Sequence, residues 1–405
     1  MKRLKILINA YACNPYKGSE SQLGWNIISR LRKFHDLTVL TDQINKIDIE
    51  NYFKNKKNNI KFKFIKRKRN LVLEKIWPPA YYWSYSEWQK SAYQLIKKNK
   101  NFDICHQLNM IGLREPGYLW KINIPYIYGP VGGSTYYPKE FILNSGFYLF
   151  FYSLVYNFIR FIDLKFRSRI KSALNKAKKN ILSSNSDTQN NLEKYFKVKS
   201  KLFLPVASEK KIKIKKNKQK IQVNFFWGGS HIQRKSLNIC LEALSKVDKK
   251  IDWRLHVTGS GVMSNKWKLL AKKLNIEKKC IFYGYLKKRN DLPKIIEKCD
   301  VHLFSSIKED TPAIIMETMS LGLPTICFDL FGAKDLVNKN RGIKIKPSTN
   351  QKKNILNFSK AIIEIIKLKK KREMMSSNCL IFAKKYTWDK KIRVLNKYYL
   401  NMVKN

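Results

Sequence analysis

Residues Ser305 to Asp329 read SSIKEDTPAIIMETMSLGLPTICFD. The run VHLFSS (301–306) leads into this stretch and PTICFD (324–329) closes it. Both are short and apolar, which predicts buried strands of a parallel sheet. Between them, Thr311 is the expected N-cap of a helix and Pro312 its first residue, with the helix running to about Leu321. Open α/β sheets bind their ligands beyond the carboxyl ends of their strands. The loop IKEDT occupies that position. The amides near Ala313 and Ile314, at the start of the helix, favour an anion there. Two carboxylates flank this entrance: Glu309 in the loop and Glu317 inside the helix, with seven residues between them. The spacing alone is a weak signal. The segments on either side give it weight.

Working outward, short apolar runs alternate with helical periodicity along the chain. The strand candidates in the first half are LKILIN, LTVLTD, IKFKFI, FDICHQL, IPYIYGP and NILSS. Helical patterns over Glu20–Arg32 and Trp83–Lys98 separate some of them. After a Lys-rich stretch, SEKKIKIKKNKQKIQ, the alternation restarts with VNFFWGG, WRLHVTGSG, CIFYGYL, VHLFSS, PTICFD and GIKIKP. Helices are expected to begin near Ser236, Ser264, Asp291 and Pro312. Strands alternating with helices predict parallel sheets covered on both faces. The fold class is therefore α/β, with two doubly wound domains in tandem. Residues 1–207 form the first domain, 208–222 a linker or loop and 223–384 the second domain; residues 385–405 are a final helix.

The 405 residues are 44% hydrophobic, enough for sizeable cores, and carry a net charge of +53. Such a charge attracts nucleic acid, anionic lipid or phosphorylated substrates. It also fits a general bias of the sequence towards Lys. The seven cysteines show no CxxC or zinc-type spacing, which fits reduced, mostly buried thiols in a cytosolic protein. The start, MKRLKILINAYAC, imitates a signal peptide, but its apolar part is short and interrupted by Asn9, so a first buried strand over Leu4–Asn9 is expected. FYLFFYSLVYNFIRFI (147–162) is shorter than the roughly 20 apolar residues of a membrane span. It is expected to be a buried or surface-lying helix. Helix-turn-helix, zinc-finger and RNA-recognition signatures are lacking, which argues against a nucleic-acid-binding protein.

The pattern of Glu, seven residues, Glu, then LGLP and a strand ending in Asp resembles the donor-site signature of the retaining glycosyltransferase family 4, of the GT-B fold. Other segments match in order: NAYACNPYKGSESQLGW, HQLNMIGLREPGYLW, YGPVGGS, WGGSHIQRKSLNICLEAL, WRLHVTGSG, FYGYL, CDVHLFSS and, near the end, YTWDKK. The resemblance implies two Rossmann-like domains facing a central cleft, with the last helix crossing back to the first. It implies an enzyme that takes a sugar from a nucleotide sugar without a metal ion. UDP-sugar is the first expected donor and GDP-sugar the other. Lys235 matches the family's diphosphate lysine. Glu309 is expected to orient the transferred sugar and Glu317 to hold the ribose. Gly229, Ser230, Arg234, Gly259, Gly284, Tyr285, Thr311, Pro312 and Ala313 complete the expected donor site. Ser230 stands where the family usually has Arg, so one diphosphate contact is missing, with Arg234 or His231 as substitutes.

Gly18, Ser19, His106, Arg114, Gly132 and Gly133 are the expected acceptor-side residues. Glycines at such turns let backbone amides approach a phosphate or sugar. The sequence has no Asp-x-Asp pair, so no metal is expected. The implied acceptor is a glycan or a lipid-linked glycan of a surface polysaccharide or lipopolysaccharide pathway. The basic run KNKKNNIKFKFIKRKR (54–69), with the aromatic segments IWPPAYYWSYSEW and YYPKEFILNSGFYLFFY, points to an anionic membrane surface. The expected location is cytoplasmic and peripheral on the inner face of the cytoplasmic membrane. The alternative is a glycan-binding relative without turnover, motivated by Ser230.

Overall fold

The computed structural model describes residues 3–76, 79–99, 101–143, 146–209, 222–288 and 290–404. All twelve expected strands form, together with a short thirteenth. They are β1 (Lys5–Ala10), β2 (Asp36–Asp42), β3 (Ile60–Ile65), β4 (Ile104–Asn109), β5 (Tyr126–Val131), β6 (Ile181–Ser183), β7 (Lys201–Leu202), β8 (Val223–Gly228), β9 (Trp253–Thr258), β10 (Cys280–Gly284), β11 (Val301–Phe304), β12 (Thr325–Phe328) and β13 (Gly342–Ile345). The pair Lys201–Leu202 was not expected; two exposed residues leave no periodic signal.

The chain divides into two compact units, each built on one parallel sheet. The first unit comprises Met1–Thr135, Ile159–Pro205 and Trp388–Asn405. Its sheet runs in the order β3-β2-β1-β4-β5-β6-β7. Ile8 pairs with Val39 on one side and His106 on the other, and β1 is buried from Ile6 to Ala10. Burial on both faces explains why this segment reads as a continuous apolar run. It is a strand, as expected, and Cys13 after it is fully buried. All seven cysteines are free, six of them buried.

The second unit comprises Tyr136–Phe158 and Val206–Thr387. Its sheet runs β10-β9-β8-β11-β12-β13. Phe225 of β8 pairs with Leu255 of β9 and Val301 of β11. Trp253, Trp267, Phe225 and Phe358 anchor its core. In both sheets the strand order reverses beside the first strand, between β1 and β4 and between β8 and β11. Crevices at carboxyl ends open at such switch points.

One expected boundary shifts. Residues 136–158 belong to the second unit, not the first, because Tyr137, Phe141, Ile142 and Leu149 pack into the second unit's core. The last helix, Trp388–Lys404, belongs to the first unit, as expected for a chain that crosses back. The Lys-rich stretch expected as a linker lies largely outside the described residues, at 210–221.

Candidate functional site

At the carboxyl edge of the second sheet, the segments after β8 and β11 meet around one carboxylate. β8 ends at Gly228, and the loop behind it carries Gly229, Ser230, Arg234 and Lys235. Lys235 and Arg234 both ion-pair with the same Glu309 oxygen, Oε1. Burial pushes the Glu309 carboxyl up, but Lys235 and Arg234 outweigh it and hold the group below its ordinary value. Glu309 is therefore ionised at neutral pH, clamped between two cations. Only 20% of its side chain is exposed, against 14% for Lys235 and 37% for Arg234.

The loop is braced from below. Ser305 Oγ donates to the Lys235 carbonyl at 3.0 Å and accepts from Trp227 Nε1 at 3.1 Å. Ser306 Oγ and the Ile307 amide both donate to the Arg234 carbonyl, at 3.4 and 2.9 Å. Arg234 Nη1 also donates to the Lys308 carbonyl at 2.6 Å. These bonds tie the segment after β8 to the segment after β11, across the switch point. A hydroxyl that follows an apolar strand gives no sign in sequence of the carbonyl it will meet, so the role of Ser305 and Ser306 was not foreseen.

The glycines extend the edge over β9 and β10. The Gly259 amide donates to the Gly284 carbonyl at 2.8 Å, and the Gly229 amide to the Thr258 carbonyl at 3.2 Å. Gly259 has φ +110°, and a Cβ there would lie 1.9 Å from the Gly229 carbonyl oxygen, so no other residue fits. The Lys235 side chain passes 3.7 Å from where a Gly229 Cβ would sit. Tyr285 follows Gly284 and is 75% exposed. Ser230 is also exposed. The structure thus brings Gly284, Gly259, Gly229, Lys235, Arg234 and Glu309 along one edge.

His231 does not substitute for an arginine. It is 2% exposed, its Nδ1 pairs with Ser264 Oγ at 2.9 Å, and its ring packs against Trp227 and Trp267. Burial holds its pKa below the ordinary value, so it carries no charge for a diphosphate. The helix after β11 also starts later than expected and is shorter, Ala313–Met319. Pro312 is extended (φ −76°, ψ 110°) and occupies the N-cap, which leaves Thr311 one residue outside. Gly332 donates to the Asp310 carbonyl at 2.8 Å and fixes that turn. Glu317 is the fifth residue of the helix and is half-buried.

In the first unit, the loops behind β1, β4 and β5 are stitched together. The Gly132 amide donates to the Ile111 carbonyl at 2.7 Å, the Leu113 amide to the Gly132 carbonyl at 2.9 Å, and the Ile111 amide to Glu20 Oε1 at 3.3 Å. Gly133 has φ +67° beside Gly112, whose Cα lies 3.6 Å from the position of a Gly133 Cβ. Gly18 and Ser19 are exposed at the turn into the helix Glu20–Leu31.

Two expected acceptor residues are corrected. His106 is fully buried, with Nδ1 on Tyr399 Oη and Nε2 on the Gly129 carbonyl, both at 2.6 Å. Burial lowers its pKa to about 4. Both ring nitrogens are spent within the first unit. The Arg114 guanidinium is engaged by Asp163 at 3.0 Å, a fully buried carboxylate that Arg160 and Arg167 also contact. A side chain following a strand can point inward or outward, and sequence does not distinguish the two.

In the basic run 54–69 the seven lysines are exposed, and one arginine is not. The middle of the run forms β3, and Arg67 is buried against Tyr11, Ser84 and Glu74. Glu74 also takes Arg69, at 2.6 Å. Among the described residues, no group of three or more His, Cys, Asp or Glu side chains could hold a metal ion. No described helix is long and apolar enough to cross a membrane.

Residues 208–379 match the family model described as Glycosyl transferases group 1. A curated relative, the UDP-Gal:alpha-D-GlcNAc-diphosphoundecaprenol alpha-1,3-galactosyltransferase of Escherichia coli, is 28% identical over 152 residues, 37% of each chain. The chain spans 23% to 37% of the length of the curated relatives it matches. Among solved structures, the lipopolysaccharide outer core galactosyltransferase WaaB in its apo form superposes with a TM-score of 0.64 at 15% identity, over 97% of this chain and all of that one. HepE of Anabaena, in complex with UDP, gives 0.64 at 13% identity, over 98% of this chain and all of that one. These likenesses establish the GT-B fold, with two Rossmann-like parallel-sheet units.

Proposed function

We propose that this chain is a retaining glycosyltransferase of family 4, moving a hexose from a nucleotide sugar to a glycan or lipid-linked acceptor without a metal ion. The observation that carries the reading is Glu309 held between Lys235 and Arg234 at the switch point of the second sheet. Lys235 and Arg234 supply the positive charge that a leaving diphosphate needs when no divalent ion is present. The amides at the start of the helix Ala313–Met319 add to that field. Glu309 accepts hydrogen bonds from the transferred sugar, and Glu317 from the ribose. UDP-sugar is the first donor to test, since HepE, the UDP-bound neighbour, shares the fold.

Retention follows without a carboxylate nucleophile if the acceptor enters on the face the diphosphate leaves. A diphosphate oxygen then takes the acceptor's proton. Glu309 is already committed to two cations, which suits an orienting and stabilising role and not that of a free base. The acceptor side is assigned to the stitched loops around Gly18, Ser19, Gly132 and Gly133. The pathway is surface polysaccharide or lipopolysaccharide synthesis, and the site of work is the inner face of the cytoplasmic membrane, on its anionic surface.

A glycan-binding protein without turnover is the second reading, favoured by the neutral, exposed Ser230. One experiment separates the two. A panel of UDP-, GDP- and ADP-sugars is screened by thermal shift, and the donors that stabilise the protein are incubated with lipid-linked glycan in EDTA. Transfer with retained anomeric configuration supports the enzyme. Stabilisation by glycan alone, with no donor hydrolysis or transfer, supports the binder.

A further inference from the structure

The helix Gly146–Lys165 is apolar on two sides. Its protected side buries Leu149 and Leu164 together with the polar groups Ser153, Arg160 and Asp163, and Asn157 Oδ1 accepts from the Tyr137 amide at 2.6 Å. Its outer side carries Phe147, Phe151, Leu154, Val155 and Phe158, between 43% and 82% exposed. At the helical repeat these five fall within about 100° of the circumference. Leu143, just ahead of the helix, is 74% exposed. A helix that hides its polar residues and presents a band of phenylalanines is built to be covered by something apolar.

We infer that this face inserts flat into the interfacial layer of an anionic bilayer. Charge identifies the occupant. Residues 146–180 carry eight Lys or Arg and one acid, Asp163, and that acid is fully buried. The exposed charge on the last turn of the helix and on the stretch that follows it in sequence is therefore positive, Lys165 and Lys171 included. A second copy of this chain is a poor cover, since each copy carries a net charge of +53 and repels the other. The helix is not apolar enough to cross the membrane. An amphipathic helix with a basic surround binds at the head-group boundary, through buried apolar area and attraction to anionic lipid. This deepens the proposed function, on which it rests for the membrane location. It adds an apolar anchor to the basic run 54–69, whose seven lysines are exposed while Arg67 and Arg69 are held by Glu74.

The test is flotation of the full chain with phosphatidylcholine vesicles, with or without phosphatidylglycerol. The parent is expected to float with the phosphatidylglycerol vesicles. Phe151→Glu/Phe158→Glu should reduce the floating fraction about ten-fold or more, by removing two apolar anchors and adding two charges the surface repels. Leu269→Glu, at an exposed apolar side chain on another helix, should float nearly as the parent does. All three proteins should melt alike, since the altered side chains are exposed.

If the double variant floats like the parent, the helix is not the anchor and the inference falls, while the membrane location stands. If the parent fails to float with anionic vesicles, both fall. If the parent is a dimer by light scattering and the double variant a monomer, the band is covered by a second copy and the inference is overturned. Transfer to a short soluble acceptor is unchanged in the double variant on this account, so a failure of the proposed reaction is distinguishable from a failure of the anchor.

Discussion

Replacing Glu309 by Gln separates its two roles with opposite signs. In the free protein its carboxylate neutralises part of the charge on Lys235 and Arg234. Gln keeps the shape and removes the charge. A carboxylate roughly 6 Å from an incoming diphosphate, at an effective dielectric of about 40–80, opposes each unit of its charge by about 0.7–1.4 kcal/mol. Free nucleoside diphosphate, with two such charges, should therefore bind Glu309→Gln about 10- to 100-fold more tightly than the parent. Turnover should move the other way. If the carboxylate steadies positive charge developing on the sugar, its loss costs about 10²–10³ in kcat. The lost charge-assisted bonds cost about 1–2 kcal/mol of stability, a fall of about 2–8 °C in Tm for a unit of this size. Calorimetry with free diphosphate and a turnover assay with intact donor read both effects. Weaker diphosphate binding in a variant that melts like the parent would refute the clamp. So would unchanged turnover.

Glu317→Gln should weaken free nucleoside diphosphate about 10- to 100-fold by removing a charge-assisted bond to the ribose, with a smaller effect on kcat; titration checks it, and parent-like affinity counts against the ribose assignment. Transfer should survive EDTA, and activity restored only by Mg²⁺ or Mn²⁺ would contradict the metal-free reading. His106 and His302 are buried and neutral, with pKa values lowered to about 4 and about 3 by burial. Their unfolded forms take up protons near pH 6.5 while the folded forms do not, so stability should fall as pH drops from 7 towards 5, by up to about 1.4 kcal/mol per pH unit for each histidine. His106→Asn should flatten that slope in melting curves, and a Tm constant across this range would overturn the assignment.

Most strands were legible because the sheets are parallel and buried, which writes strands such as β5 and β8 as buried runs; the edge strand β3 instead alternates Lys with apolar residues, and it too falls where it was read. The site was legible in its charges. Glu309 and Lys235 announced themselves by position, 74 residues apart in sequence and adjacent in space. The hydroxyls that brace them did not. The length of β4 and the direction of loop side chains were also hidden: His106 falls inside the strand and Arg114 turns inward, so both sit in buried networks and not on the surface edge. Composition misled at Arg67, where a basic run conceals a buried ion pair. The apolar run 147–162 was read correctly as a helix, but its second, outward apolar face appears only once the buried side is known.

The measurement closest to the central claim is a calorimetric titration of free UDP, and then GDP, into the parent and into Lys235→Met. Methionine keeps most of the lysine's length and removes its charge beside Glu309 and Gly229. The account predicts that the parent binds one of the two nucleotides and that Lys235→Met binds it about 10- to 100-fold more weakly, the cost of one charge-assisted contact. A parent that binds neither nucleotide, or a variant that binds as tightly as the parent, would contradict it.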